Sequence, residues 1–282
     1  MRKILSVVAA SLAATLMLTA CGDDATTPGT DGTTAPAGGA TKVVVGASPV
    51  PHAKILEFVR DNLAEDAGLE IEIKEFDDYV LPNEALASNE LDANYFQHLP
   101  YLENQIAEKG YEFSHGEGVH IEPLTLFSDR HESVEGIPEG GTIVITNDVS
   151  NQARGLKLLE TAGLLSDVPE DASVLTLTDE QNPKGLKFEE TQPEVVVQQL
   201  TDPKADAAVI NANFLLSADL KAEDALAVES VEGNPYANLL VWNEDNDNAG
   251  VAKLDELLHS AEVAEFIKQE WPNGDVIPGA TA

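Results

Sequence analysis

The spacing of hydrophobic positions changes along the chain, and each change marks an element. Lys42 to Gly46 is a short apolar run, which predicts a strand; the turn residues Ser48, Pro49 and Pro51 close it. From about His52 to Asp66, Ile55, Leu56, Val59 and Leu63 recur at helical spacing. Leu69 to Phe76 switches to period two, with Leu69, Ile71 and Ile73 on one face and Glu70, Glu72 and Lys74 on the other, which predicts a half-buried strand. Helices are expected at about 82–90 and 98–109, and a strand from Val119 to Ser128. The pattern then restarts. Thr142 to Thr146 reads as a buried strand, about Ser150 to Ala162 as a helix and 173–177 as a strand. Pro193 opens a helix to about Leu200, at a position where helices accept proline. Strands follow at Ala207 to Ile210 and Asn238 to Trp242, then helices near 250–259 and 261–270.

Strands alternating with helices predict an α/β protein with mainly parallel sheets. Two such sets predict two lobes with a ligand cleft between them, since α/β sheets bind ligands at the carboxyl ends of their strands. If the chain crosses near 127 and again near 236, the first lobe is 42–127 plus 237–282 and the second is 128–236. Hinge closure around a ligand is the motion such a shape allows.

The first forty residues do not belong to this pattern. Arg2 and Lys3 precede an uncharged stretch from Ile4 to Ala20, which reads as a secretory signal peptide, 1–20. Leu18-Thr19-Ala20-Cys21 resembles a bacterial lipobox, in which the cysteine sulfur is lipidated and becomes the new N-terminus. Cys21 is also the only cysteine, so no disulfide can form within one chain. Residues 22–41 contain only Gly, Asp, Ala, Thr and Pro, which makes 21–41 a lipidated cysteine followed by a flexible tether. The expected location is the extracytoplasmic face of the cell membrane, held by acyl chains such as palmitate.

Composition narrows the partners. The chain has 16 Lys+Arg against 50 Asp+Glu, a formal net charge of −34. A body this acidic repels nucleic acid and anionic headgroups, and is expected as a soluble monomer.

The chemistry-bearing residues are few. Phe76, Tyr79, Tyr95, Phe96 and Tyr101, with His98, crowd one stretch of a chain that is only 5% aromatic. They could form an ordinary core cluster or an apolar pocket that grips a soft side chain. Arg154 follows Asn147-Asp148-Val149-Ser150-Asn151 at a helix start, where Ser150 or Asp148 can cap. A guanidinium beside a helix N-terminus suits a carboxylate, although a surface arginine paired with an acid would read the same. Asn211 and Asn238 sit at strand ends, as turn residues or as amides facing a ligand. His52, His98, His115, His120, His131 and His259 show no helical metal spacing, and His115 and His120 fall in a Gly-rich loop. No nucleophile motif, phosphate loop or dinucleotide fingerprint is present. No metal, no cofactor and no enzymatic activity are expected.

Longer motifs then add a resemblance. FDDYVLPNE at 76–84 and DANYFQHLPY at 92–101 resemble the signature of the NlpA lipoprotein family. VHIEPLTLFS at 119–128, TNDVSNQARGLKLL at 146–159, AVIN at 208–211 and NPYANLLV at 234–241 follow in the family's order across about 42–270. The resemblance implies a two-lobed, type II periplasmic-binding-protein fold that delivers methionine, L- and in some members D-, to an ABC permease with its ATPase subunit. It also implies roles: Tyr79, Phe96 and His98 around the side chain, Arg154 on the carboxylate, and Asn211 and Asn238 on the backbone groups, with Asn151 nearby. Thr146 and Val149 stand where the family usually has prolines, and Ser150 where it has threonine. The alternatives are a binding lipoprotein for another amino acid or a Met-containing dipeptide, and an extracellular enzyme or surface interaction protein on the same fold.

Overall fold

The structure, a computed structural model, describes residues 39–279. The signal peptide, Cys21 and the tether up to residue 38 lie outside the described residues. Among the described residues, no helix is long and apolar enough to cross a membrane.

β1 (Thr41–Ala47) runs through a tight turn into α1 (Lys54–Asn62), which buries Ile55, Leu56 and Val59. β2 (Leu69–Glu75) lies parallel to β1 in unbroken register from Thr41–Leu69 to Ala47–Glu75. Next come α2 (Leu81–Ala87), β3 (Ala93–His98), α3 (Leu99–Lys109) and β4 (Phe113–Ile121). β5 (Thr125–Phe127) then enters a second sheet, which continues through β6 (Thr142–Thr146), α4 (Val149–Thr161), β7 (Lys187–Thr191) and α5 (Pro193–Val196). β8 (Ala207–Ile210), α6 (Ala212–Ser217) and β9 (Ala227–Val228) complete it. The chain returns to the first sheet with β10 (Ala237–Asn243), α7 (Ala249–Leu258), α8 (Ala261–Glu270) and β11 (Ile277–Pro278). The six-stranded sheet has the order β11-β4-β10-β3-β1-β2, the five-stranded sheet β7-β6-β8-β5-β9.

The sheets are mixed rather than mainly parallel. β1 pairs parallel with β2 and β3, and β6 with β7 and β8, but β10 runs antiparallel to both β3 and β4. β5 is antiparallel to β8 and β9. The expected single strand from Val119 to Ser128 is two strands in different sheets, because Glu122-Pro123-Leu124 breaks the ladder. Thr125–Phe127, expected with the first lobe, is hydrogen-bonded into the second sheet. His115 and His120 lie within β4, not in a loop. The strand expected near 173–177 is a turn: Ser173 N–H and Thr176 N–H bond within it, and Leu175 is 86% exposed.

Each sheet has its own core. Val43, Val45, Ile55, Leu56, Tyr95, Leu240, Leu254 and Ile267 fill the first. Leu126, Ile143, Ile145, Leu156, Leu159 and Val209 fill the second. α4 approaches its sheet closely because Gly155 carries no side chain: an added Cβ would lie 3.0 Å from Val209 Cγ1 and 3.1 Å from Ile145 Cδ1. Behind β3, a buried amide network ties α2 down. Asn94 donates to Asn83 Oδ1 at 2.9 Å and Pro82 O at 3.2 Å, and Gln97 donates to Asn83 and Asn94 at 2.8 and 2.9 Å. Asn83 returns a bond to Gln97 at 3.0 Å.

Candidate functional site

Between the sheets lies a narrow pocket, with about 20 Å³ of room for the centre of a water-sized sphere. The structure brings every residue expected at the site to its wall: Tyr79, Phe96, His98, Asn151, Arg154, Asn211 and Asn238. Period-two alternation on β3 sends Phe96 and His98 toward the pocket and Tyr95 into the first core. Phe76 packs elsewhere, against Leu86 and Leu91. The aromatic stretch is therefore partly core and partly pocket. Tyr79 joins Phe96, Tyr101 and Phe214 in one wall, with ring centroids 5.9, 5.8 and 5.1 Å from its own. Burial pushes the Tyr79 and Tyr101 hydroxyls well above their ordinary range, so both are neutral donors.

α4 supplies the polar centre. Asp148 caps it, accepting from the N–H groups of Ser150 and Asn151 at 3.1 and 3.2 Å. Burial raises the Asp148 pKa despite these bonds. Asn151 and Arg154, three residues apart, share the helix face turned to the pocket. Asn151 is tied to four neighbours within the protein. Its Nδ2 donates to Asp148 at 2.6 Å, and its Oδ1 accepts from His98 Nε2 at 3.1 Å, Asn211 Nδ2 at 3.1 Å and Arg154 Nη1 at 3.5 Å. The His98 tautomer follows: Nδ1 accepts from Tyr101 N–H at 3.2 Å, so the proton sits on Nε2. Burial and then nearby Arg154 lower the His98 pKa to about 3, so the ring is neutral at ordinary pH.

Arg154 is only 4% exposed, and it is not alone. Its Nε and Nη2 donate side-on to both oxygens of Glu229, at 2.8 and 2.5 Å, and Nη2 also donates to Glu122 O at 2.7 Å. The guanidinium lies 4.3 Å over the Tyr236 ring. Burial opposes both charges of the pair, but each partner outweighs it for the other, so the Glu229 pKa is lowered and that of Arg154 raised. Only Nη1 remains turned toward the pocket with capacity to spare.

Glu122 completes the polar wall. Its Oε1 accepts from His120 Nε2 at 2.8 Å and His52 Nε2 at 3.0 Å. Burial works against its charge, but the two histidines outweigh it and hold the carboxyl well below the usual range. Tyr95 hydroxyl meets His120 Nδ1, and His52 Nε2 also faces Asn238 Oδ1 at 3.1 Å. Oε2 has no partner among the described residues. Direct bonds join the two sides of the pocket: Tyr79 Oη donates to Asn213 at 2.6 Å, and His98 reaches Asn151.

Sequence reasoning named Tyr101 only within the aromatic cluster, and it missed Glu122, Glu229, Tyr236 and Asn213. Glu122 and Glu229 are two acids among 50, and no local spacing separates them from solvated ones. Glu122 and Tyr236 lay inside quoted motifs without a role.

Residues 43–280 match the NlpA lipoprotein family. The chain belongs to the NlpA lipoprotein family. Among similar NlpA-type proteins is the methionine-binding lipoprotein MetQ of Bacillus subtilis (strain 168), 38% identical over 84% of this chain and 88% of that protein. The D-methionine-binding lipoprotein MetQ of Escherichia coli (strain K12) is 32% identical over 95% of each chain. A nutrient binding protein from Burkholderia cenocepacia, solved bound to methionine, superposes with a TM-score of 0.78 at 36% identity, covering 84% of this chain and 100% of that one. This NlpA chain therefore has the two-lobed fold of substrate-binding proteins.

Proposed function

We propose that the protein is a membrane-anchored, extracytoplasmic solute-binding lipoprotein that captures methionine and delivers it to an ABC importer. The observation that carries this reading is the pairing of an aromatic wall (Tyr79, Phe96, Tyr101) with a polar wall suited to a zwitterion. In this reading the carboxylate takes Arg154 Nη1 and the amides of Asn211 and Asn238, while the ammonium takes Glu122 Oε2. Arg154, though paired with Glu229, keeps Nη1 for the carboxylate, and the Glu122 carboxylate faces the ammonium, so each charge of the ligand meets a group of opposite sign. Asn151 positions His98, Asn211 and Arg154 through Oδ1 and keeps one Nδ2 N–H for the solute. The thioether lies against the aromatic edges, worth about 0.3–1.5 kcal/mol per contact. The names of relatives, two of which specify methionine or D-methionine, support the ligand.

The lobes are proposed to divide as 42–124 plus 237–282 and 125–236, the boundary expected at 127 moving back because β5 pairs in the second sheet. Cys21 is the proposed lipid attachment, and the body a monomer without catalysis.

Thermal unfolding of stripped protein against a panel of solutes tests the reading. Ligand at about 1,000 times its dissociation constant should add about 4 kcal/mol. Methionine should raise the midpoint more than norleucine, which has the same shape without sulfur. A larger shift with another amino acid or a dipeptide would keep the class and discard the ligand.

A further inference from the structure

His52 is far in sequence from His120 and Glu122, which are two residues apart, yet α1's leading turn and the end of β4 place the three donor atoms within 4.8 Å of one another, all buried. His52 Nε2 and His120 Nε2 both face Glu122 Oε1, at 3.0 and 2.8 Å, and the two rings lie 5.0 Å apart. We propose that this cluster is a transition-metal site in the pocket wall, taking a zinc-class divalent ion in competition with the solute's ammonium group.

Two imidazoles and one carboxylate are a donor set that zinc accepts with a further position left open. Tetrahedral bonds of about 2.0–2.1 Å place neighbouring ligand atoms roughly 3.3 Å apart, so the two nitrogen–oxygen spacings need to open by a few tenths of an ångström, while the two nitrogens lie within 4.8 Å of each other. Asn238 Oδ1, 3.1 Å from His52 Nε2, lies beside the same point. The ion takes the place of the Nε2 protons that now bond Glu122, and they are released as it binds or move to Nδ1. An outer contact fits one ring: His120 Nδ1 meets the Tyr95 hydroxyl, whose oxygen accepts its proton in the metal-bound state. At His52 that contact is missing, since Nδ1, the nitrogen that does not face Glu122 and Asn238, is buried with no hydrogen-bond partner among the described residues. Charge is compatible, since Glu229 offsets neighbouring Arg154 and leaves the Glu122 carboxylate to meet the ion. An ion on Oε1 places like charge beside an ammonium on Oε2, so the two exclude each other. That competition rests on the ammonium placement proposed above; the metal site does not.

The full chain in detergent, stripped with a chelator, is titrated with Co²⁺ and then Zn²⁺. A single equivalent of Co²⁺ should bind with the intense visible absorption of a four-coordinate site, and Zn²⁺ should displace it. His52→Gln and His120→Gln should each abolish the band while circular dichroism stays native. If either histidine variant fails to fold, Glu122→Gln, which keeps the shape, should lose the band equally. No such absorption in the wild-type chain, or the same absorption in a folded variant, overturns the site. In a second arm, Zn²⁺ at about 100 times its dissociation constant should raise the apparent methionine dissociation constant about 100-fold in the wild-type chain. His120→Gln should be insensitive to Zn²⁺. A wild-type chain that binds Co²⁺ as described but ignores Zn²⁺ in this arm keeps the metal site and refutes the competition.

Discussion

Glu229→Gln isolates the ion pair that Arg154 makes behind the pocket wall. Gln keeps the volume of Glu229 and an oxygen for the Leu124 N–H, which Glu229 Oε2 accepts at 3.1 Å. It removes the charge and turns an NH₂ toward the donors of Arg154. Arg154 is 4% exposed and the Glu229 side chain 14%, so water does not replace the lost partner. Breaking a buried pair from one side costs about 3–5 kcal/mol, because the remaining charge stays desolvated. At about 2–4 °C per kcal/mol for a body of this size, the midpoint should fall by roughly 6–20 °C. Removing both charges in Arg154→Met with Glu229→Gln should recover most of that loss, since no unpaired ion is left. Urea unfolding of wild type, both single variants and the double variant closes the cycle. A Glu229→Gln loss below about 1 kcal/mol would refute the reasoning, because losses of that size belong to solvated pairs. A double variant no more stable than Glu229→Gln would refute it too.

Three further outcomes follow from the geometry. Gly155→Ala should cost about 1–3 kcal/mol in urea unfolding, as Val209 and Ile145 must move from an added Cβ at 3.0 and 3.1 Å. Asn94→Ala strips acceptor and donor from the network behind β3 and should cost roughly 1–3 kcal/mol for each group orphaned. His98 titrates at 6.5 when unfolded and at about 3 in its buried place among Arg154, Glu229 and Glu122. The unfolded chain thus binds the extra proton in between: the contribution of His98 is intact above pH 6.5 and lost as pH falls toward 3. Between pH 6.5 and 4.5 the wild type should lose roughly 2–3 kcal/mol more than His98→Gln, and equal losses would show that the ring takes its proton while folded.

The elements legible in the sequence were those whose burial has a period. α1 and β2 alternate core and solvent cleanly, and the expected ranges fall on them within a few residues; α4, buried from Asn151 to Leu156, was marked by its capped start and its apolar run. β3 was missed because all of Ala93–His98 is buried, with Asn94 and Gln97 satisfied by tertiary amides, so no polar face remains to mark it. β7 failed for the opposite reason: Lys187–Thr191 is a half-exposed edge strand and reads as a loop. At the site, Arg154 stood out because arginine is scarce and sits at a capped helix start. Its partner Glu229 did not, since it reaches the pocket from 75 residues away. His52 and His120 were visible singly, but only the pairing of β10 with both β3 and β4, and the turn before α1, bring them together.

For a chain that crosses the membrane unfolded and N-terminus first, toward the extracytoplasmic place proposed above, the position of β10 makes the first sheet wait. β10 lies between β3 and β4, yet the entire second sheet emerges between Ile121 and Ala237. β1, β2 and β3 emerge early and can pair among themselves, while β4 has no neighbour until Ala237–Asn243 arrives. The second sheet is complete at Val228 and is the first part of the emerging chain able to close its own core. Asn238 travels on the late strand, so the pocket comes into being only when the last strands are across. No solute can template the folding of the first half, and a chain arrested before Ala237 carries an open sheet edge at β3 that a second arrested copy could pair with.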